Sequence, residues 1–157
     1  MKVTAKQLIK AGCCSSGVDP YFKGINRKQW DVKKLLALAI KQGNYQDCRY
    51  GLSYMMTKIQ RVEWAVYCAE QVLHLFEDKH PDDKRPRLAI KAAKKYLKNP
   101  TDKNAYAAYA AAYAGAAYAA AYAAYAAADA AADAASDVKK QMQKTILDYG
   151  YKLLKEN

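Results

Sequence analysis

The densest cluster of cationic side chains lies in and after the segment HPDDKRPR, residues 80–87. Guanidinium and ammonium groups bind phosphate and carboxylate oxygens, and the first turn of a helix adds free backbone N–H groups. The cluster therefore predicts either an anion-binding surface or a helix corner and solvated face held by Asp–Arg surface pairs, which each contribute little stability. The candidate ligand-binding residues are Arg85, Arg87, Lys91 and Lys94.

A second candidate group lies on the helix predicted over residues 61–78. Tyr67, Glu70 and His74 follow one another at spacings of three and four residues, so they share one face of this helix. One interpretation is a polar ligand site in which Glu70 orients His74. The other is a solvated face or a buried hydrogen-bonded cluster.

A third candidate group belongs to an alanine- and tyrosine-rich segment, residues 105–136, which contains 22 Ala and six Tyr. Alanine is the best helix former, so the segment predicts one long helix or a helical hairpin. The face that carries the tyrosines changes near Gly115. Tyr118, Tyr122 and Tyr125 then share one arc, where they either pack against neighbouring helices or form an aromatic wall for a planar ligand.

Motifs for catalysis and metal binding are missing from the sequence. It contains no Walker loop, GxGxxG, HExxH or GxSxG motif. The four cysteines lack the spacing of a metal site, and we expect no local group to lower a thiol pKa. We therefore expect a protein that binds without catalysis and uses no cofactor or metal. The cysteines, expected to be reduced, are Cys13, Cys14, Cys48 and Cys68.

Helical periodicity dominates the chain and predicts an all-α fold, with residues 1–157 forming one compact bundle of five to seven helices. Within it we distinguish basic N-terminal helices (1–60), a motif-bearing helix pair (61–104), and an Ala/Tyr-rich helix with a C-terminal helix (105–157). Gly12 is predicted to end a first helix over 4–11, and Gly43 is predicted to end a second helix over 28–42. A loop over 13–26 is predicted to connect these two helices. The remaining predicted helices cover 45–59, 61–78 and 87–98.

The net charge of +11 favours an anionic partner. Most of it lies in residues 1–60, where eleven basic and three acidic groups give +8. No uninterrupted apolar run is long enough for a transmembrane helix, and the N-terminus lacks the apolar core of a signal peptide. We therefore expect a cytoplasmic protein without a membrane partner.

Residues 64–97 contain two linked motifs, Trp-Ala-x-x-Cys-Ala-Glu with Leu-x-x-Phe-Glu, and then Pro-Asp-Asp-x-Arg-Pro-Arg. Together with the basic helix and the Ala-rich tail, they resemble the immunity-5-like family of small helical putative immunity proteins from bacteria and their phages. The resemblance implies toxin neutralisation or counter-defence in a bacterial host, without an established mechanism. The segment 105–136 departs from the family by its many tyrosines. The matching residues are Trp64, Cys68, Glu70, Phe76, Glu77, Pro81, Asp82, Asp83, Arg85, Pro86 and Arg87.

Three functions remain compatible with the sequence. We favour sequestration of an anionic, nucleotide-like ligand, since cationic groups bind phosphate and tyrosines stack on a base. The alternative is an immunity protein that neutralises a toxin by protein–protein contact. The charge of +11 would repel a basic toxin, so this alternative requires an acidic one. Nucleic-acid binding also suits the charge but has no recognised motif here. A homo-oligomer is compatible with all three.

Overall fold

A computed structural model describes residues 1–10, 12–23, 28–108 and 135–156. These residues confirm the all-α prediction, with eight helices, one more than the predicted range, and one pair of two-residue strands. The predicted helix or hairpin over 105–136 lies mostly outside the described residues. The elements in chain order are β1 Lys2–Val3, α1 Ala5–Lys10, α2 Ser15–Phe22, β2 Trp30–Asp31, α3 Val32–Lys41, α4 Tyr45–Met55, α5 Lys58–Glu77, α6 Arg85–Lys98, α7 (described over 102–108) and α8 Ala135–Lys155.

The chain divides into two compact units. The terminal unit comprises Met1–Gln60 and Gln143–Asn157, and the central unit comprises Arg61–Met142. The first boundary coincides with the end of the predicted N-terminal segment at residue 60. Each unit contains one of the two tryptophans, Trp30 and Trp64, and both are buried. Fluorescence of a single-tryptophan variant can therefore report on each unit separately.

The prediction of a loop over residues 13–26 is wrong for residues 15–22, which form α2. Ser, Gly and Pro made this segment resemble a loop, and Pro20 does lie inside the helix. Burial outweighs these weak local preferences, because α2 buries Val18, Tyr21 and Phe22. The indole Nε1–H of Trp30 also donates to the backbone oxygen of Tyr21 at 2.6 Å, which ties the end of α2 to β2.

The predicted helix ends at Gly12 and Gly43 are confirmed. Both glycines have positive φ angles, 106° and 77°, a backbone conformation that other residues rarely adopt. The start of α3 is fixed by Asp31, whose carboxylate accepts the backbone N–H of Lys34 at 3.3 Å. Asp31 also pairs β2 with β1 in antiparallel register, opposite Lys2.

A reciprocal capping box starts α5. The hydroxyl of Thr57 accepts the backbone N–H of Gln60 at 3.2 Å, and the amide oxygen of Gln60 accepts the backbone N–H of Thr57 at 2.8 Å. The Gln60 side chain is buried, and its Nε2 donates to the backbone oxygen of Leu153 in α8 at 2.5 Å. One amide thus fixes both the start of α5 and the position of α8 within the terminal unit. Among the described residues, no helix is long and apolar enough to cross a membrane.

Candidate functional site

The connection between α5 and α6 brings together the charged residues of the sequence motif. Glu77, at the end of α5, accepts two hydrogen bonds from Arg87, from Nε at 2.6 Å and from Nη2 at 2.5 Å. The Asp83 carboxylate accepts hydrogen bonds from the guanidinium of Arg85, the shortest from Nη2 at 2.6 Å. It also accepts a hydrogen bond from the backbone N–H of Arg85 at 3.0 Å. We call these residues the α5–α6 corner. Each arginine uses its planar fork to bind a carboxylate.

A third ion pair continues from the corner along the two helices. Lys94 on α6 lies 2.5 Å from the carboxylate of Glu70 on α5. Glu70 precedes Glu77 by seven residues on α5, and Lys94 follows Arg87 by seven residues on α6. Such matched steps of two turns are the pattern that antiparallel helices produce. The equal spacing of Glu70 and Glu77 on α5 and of Arg87 and Lys94 on α6 is visible in the sequence. Spacing within each single helix, however, does not show that the two helices pair.

The loop of the corner is closed by local contacts. The rings of Phe76 and His80 lie 5.0 Å apart, and the backbone N–H of His80 donates to the oxygen of Phe76 at 2.9 Å. The ammonium of Lys84 donates to the backbone oxygen of Pro81. Pro86 is buried in the first turn of α6, where its missing N–H leaves no helical bond unmade.

The ion pairs shift the pKa values of their members. Hydrogen bonds from the side chain and backbone of Arg85 lower the pKa of Asp83 to about 2. The side-chain hydrogen bond from Arg87 lowers the pKa of Glu77, and the same contact raises the pKa of Arg87. All three groups are therefore charged at neutral pH. An external anion would have to displace a carboxylate to reach the Nε–Nη2 edge of either arginine.

The other predicted site residues are less closely associated. Tyr67 is half-buried and His74 is exposed, and the described residues show no hydrogen bond between His74 and Glu70. Lys91 is exposed on α6. Tyr118, Tyr122 and Tyr125 lie outside the described residues. The structure thus joins Glu70 to Lys94 and fixes Arg85 and Arg87 at the corner, and the predicted ligand site itself stays a prediction.

An exposed face of α6 remains outside the ion pairs. Leu88 keeps 57% of its surface exposed. Lys91, Lys95 and Lys98 follow at spacings of three, four and three, are exposed, and form no ion pair with any described residue. We call these four residues the α6 outer face. It combines an apolar side chain with three ammonium groups, so it presents a positively charged surface to solvent.

The cysteines differ from expectation in one respect. The thiol of Cys14 is exposed and accepts a hydrogen bond from the Ser16 hydroxyl at 3.4 Å. This bond, with one from the backbone N–H of Gly17, lowers the pKa of Cys14, so the expectation that no local group would do so is wrong. Within the described part of the chain, no cluster of three or more His, Cys, Asp or Glu side chains could hold a metal ion.

The region containing the corner matches a known family. The model of the Imm-5 like putative immunity protein family matches residues 52–155. The chain belongs to this family. The match includes all of α5 and α6 and therefore every residue of the corner and of the α6 outer face. No match is found among the curated proteins or among the solved structures.

The match to the Imm-5-like family covers only part of the terminal unit. The match begins at residue 52, so α1, α2, α3 and most of α4 precede it. The features shared with the family therefore lie mainly in the central unit and α8.

Proposed function

We propose that this Imm-5-like chain is an immunity protein that neutralises a toxin by direct protein–protein contact, without chemical turnover. The observation that carries this proposal is the family match over residues 52–155. It supports the toxin-binding alternative from the sequence over nucleotide sequestration. The protein would act in the bacterial cytoplasm, where the toxin reaches its target.

The partner surface on the toxin is acidic, and the α6 outer face is where it binds. Three exposed ammonium groups attract carboxylates and speed encounter, and Leu88 supplies apolar area that becomes buried in the complex. The net charge of +11 favours the same partner at long range. Arg87 contributes indirectly, because its pair with Glu77 links the end of α5 to the first turn of α6. The pair of Arg85 and Asp83 is local to the start of α6.

Sequestration of a nucleotide has less support. The two arginines proposed as phosphate ligands already bind Asp83 and Glu77. A phosphate would have to compete with a carboxylate that is adjacent in the fold and accepts two or more hydrogen bonds.

The test is a rescue experiment in bacteria that each produce one toxin from a panel of acidic and basic toxins. The chain should restore growth with an acidic toxin, and isothermal titration should give a fixed stoichiometry with that purified toxin. The double variant Lys91→Glu/Lys95→Glu should lower the affinity at least tenfold. Lys33→Glu/Lys34→Glu, on exposed positions of α3, changes the net charge equally and should change the affinity much less.

A parallel arm measures free cyclic and linear nucleotides after incubation with the chain and filtration. Removal of a nucleotide at a fixed molar ratio, with no toxin neutralised, would overturn the proposal in favour of sequestration. Equal losses of affinity in the two double variants would instead show that net charge, and not the α6 outer face, determines binding.

A further inference from the structure

The terminal unit contains a cavity of about 380 Å³ between α1, α2, α3 and α4. Its inner wall consists of buried apolar side chains, including Val32 and Leu52, which are 1% and 0% exposed. The lining residues that are exposed, and so mark the entrance, are Gly12, Cys14, Asp47 and Tyr54. This volume falls within the range of roughly 300–1,000 Å³ that is typical of small-molecule pockets.

Glycines keep the cavity open. Gly51 lines it from the middle of α4, and a Cβ atom placed on Gly51 would meet nothing within 4 Å. Gly17 also lines it, and a Cβ atom there would lie 3.3 Å from Cys14 Sγ and 3.6 Å from Asp47 Oδ1. Protein interiors are normally close-packed, so an apolar wall around a space of this size is suited to an occupant.

The polar groups of the cavity indicate the charge of that occupant. Asp47 is the only charged residue among the described residues that line the cavity. Burial raises the pKa values of Cys13 and Cys48, the latter to about 11, so both thiols are neutral parts of the wall. At the entrance, the Asp47 carboxylate disfavours a neighbouring anion.

We propose that this cavity binds an uncharged, largely apolar small molecule, with its chain against Val32 and Leu52 and its polar end beside Cys14 and Asp47. The class includes medium-chain alcohols and esters and excludes free fatty acids, whose carboxylate would face Asp47. The proposal is independent of toxin binding, since most of the cavity precedes the family match and the α6 outer face belongs to the other unit.

The first test uses the full chain and the neutral dye Nile red. We expect a saturable rise in dye fluorescence, reversed by 1-dodecanol at least tenfold more effectively than by dodecanoate at 0.15 M salt, where long-range attraction to the basic chain is screened. Gly51→Leu fills the open space and should weaken dye binding at least tenfold. Ala37→Leu adds comparable bulk at an exposed position of α3 outside the cavity and should leave binding unchanged.

A second test needs no cavity-filling variant. The exposed Cys14 thiol should react fastest with a disulfide reagent such as DTNB, and this phase should be absent in Cys14→Ser. Saturating 1-dodecanol should slow this phase at least fivefold in the unmodified chain. Dye binding that survives Gly51→Leu in a folded protein, absence of saturable binding, or an unchanged Cys14 rate with 1-dodecanol would each overturn the proposal.

Discussion

At the α5–α6 corner, Glu77 and Asp83 each bind an arginine, whereas at the cavity entrance Asp47 forms no ion pair with any described residue. At the corner, the pair of Glu77 and Arg87 links the end of α5 to the start of α6, and the pair of Asp83 and Arg85 lies at the start of α6. The cavity surrounds unfilled space with apolar side chains and places its few polar groups at the edge. Residues whose types suggest ligand binding can therefore also form structural ion pairs, while a segment without a sequence motif can surround a cavity.

The comparison predicts that apolar packing dominates stability in the terminal unit. Leu52 is fully buried at the cavity wall, so Leu52→Ala enlarges an existing space that its neighbours do not fill. We expect a loss of about 2–5 kcal/mol in the free energy of unfolding. Denaturant unfolding followed by Trp30 fluorescence, in a Trp64→Phe background, measures it.

Leu88→Ala on the α6 outer face is the control, because that side chain is 57% exposed. Its effect on unfolding, followed by Trp64 in a Trp30→Phe background because Leu88 lies in the central unit, should be within about 0.5 kcal/mol. Similar losses for the two leucines would break the comparison between the buried cavity wall and the exposed α6 outer face.

The second prediction concerns Gln60, which both caps α5 and binds the backbone oxygen of Leu153. Gln60→Ala should destabilise the terminal unit by about 1–3 kcal/mol, because a buried acceptor loses its donor. Gln60→Glu keeps an oxygen for the backbone N–H of Thr57 but cannot donate to Leu153 when ionised. At neutral pH it should therefore fail to rescue the loss, while Gln42→Ala, at an exposed position, should have little effect.

If Gln60→Glu were as stable as the unmodified chain, the capping box alone would explain the role of Gln60. The buried hydrogen bond to α8 would then contribute nothing measurable. Chemical unfolding of the three variants, monitored by Trp30, distinguishes these outcomes.

Much of the fold was predictable because several local signals agreed. The long periodic helices and the glycine ends at Gly12 and Gly43 were read directly from spacing and residue type. The helix α2 was not predictable from the sequence, because its Ser, Gly and Pro residues predict a loop. Only the burial of Val18 and Phe22 in the folded unit overrides that preference.

The candidate site was predictable in its residues but not in its contacts. The sequence identified Arg85 and Arg87 and left open whether they hold a corner or bind an anion. The structure shows their ion pairs with Asp83 and Glu77, which depend on where these carboxylates lie in space, and anion binding stays a prediction. The cavity had no comparable signal, since it depends on space left between four helices beside residues such as Gly51.

The third prediction tests whether Gly51 contributes room rather than stability. Gly51 lies within α4, has no positive φ, and has open space where a Cβ would be. Gly51→Ala should therefore stabilise the terminal unit by about 0.5–1 kcal/mol through helix propensity. Thermal and denaturant unfolding followed by Trp30 measure the gain.

Gly12→Ala is the matched control, for which we expect the opposite change in stability. Gly12 has a φ of 106°, and a Cβ atom there would lie 2.8 Å from the Tyr54 ring, so this variant should be destabilised. A loss of stability in Gly51→Ala would mean that the space beside α4 is smaller than the structure indicates.

The smallest effect is expected from acid at the corner. The pKa of Asp83 falls from its usual 3.8 to about 2 in the folded chain, and the pKa of Glu77 is also lowered from its usual 4.5. A carboxylate with a depressed folded-state pKa stabilises the fold above its unfolded-state pKa, and this stabilisation is lost as the pH falls through the folded-state value. The unfolding midpoint reported by Trp64, in a Trp30→Phe background, should therefore decrease slightly from about pH 4.5 downward and continue to decrease toward pH 2.

The control separates this effect from acid sensitivity of the terminal unit. The pKa of Asp31 is also lowered, because desolvation, which would raise it, is outweighed by the backbone hydrogen bond from Lys34 and the neighbouring N-terminal charge. Asp83→Asn should reduce the acid dependence of the Trp64 signal and leave that of the Trp30 signal unchanged. The exposed pair of Asp83 and Arg85 should add little at neutral pH, where solvent screens it. An acid profile of Trp64 that is identical in Asp83→Asn would show that this carboxylate is not linked to folding, and the corner would then be held by Glu77 and the apolar contacts of Phe76.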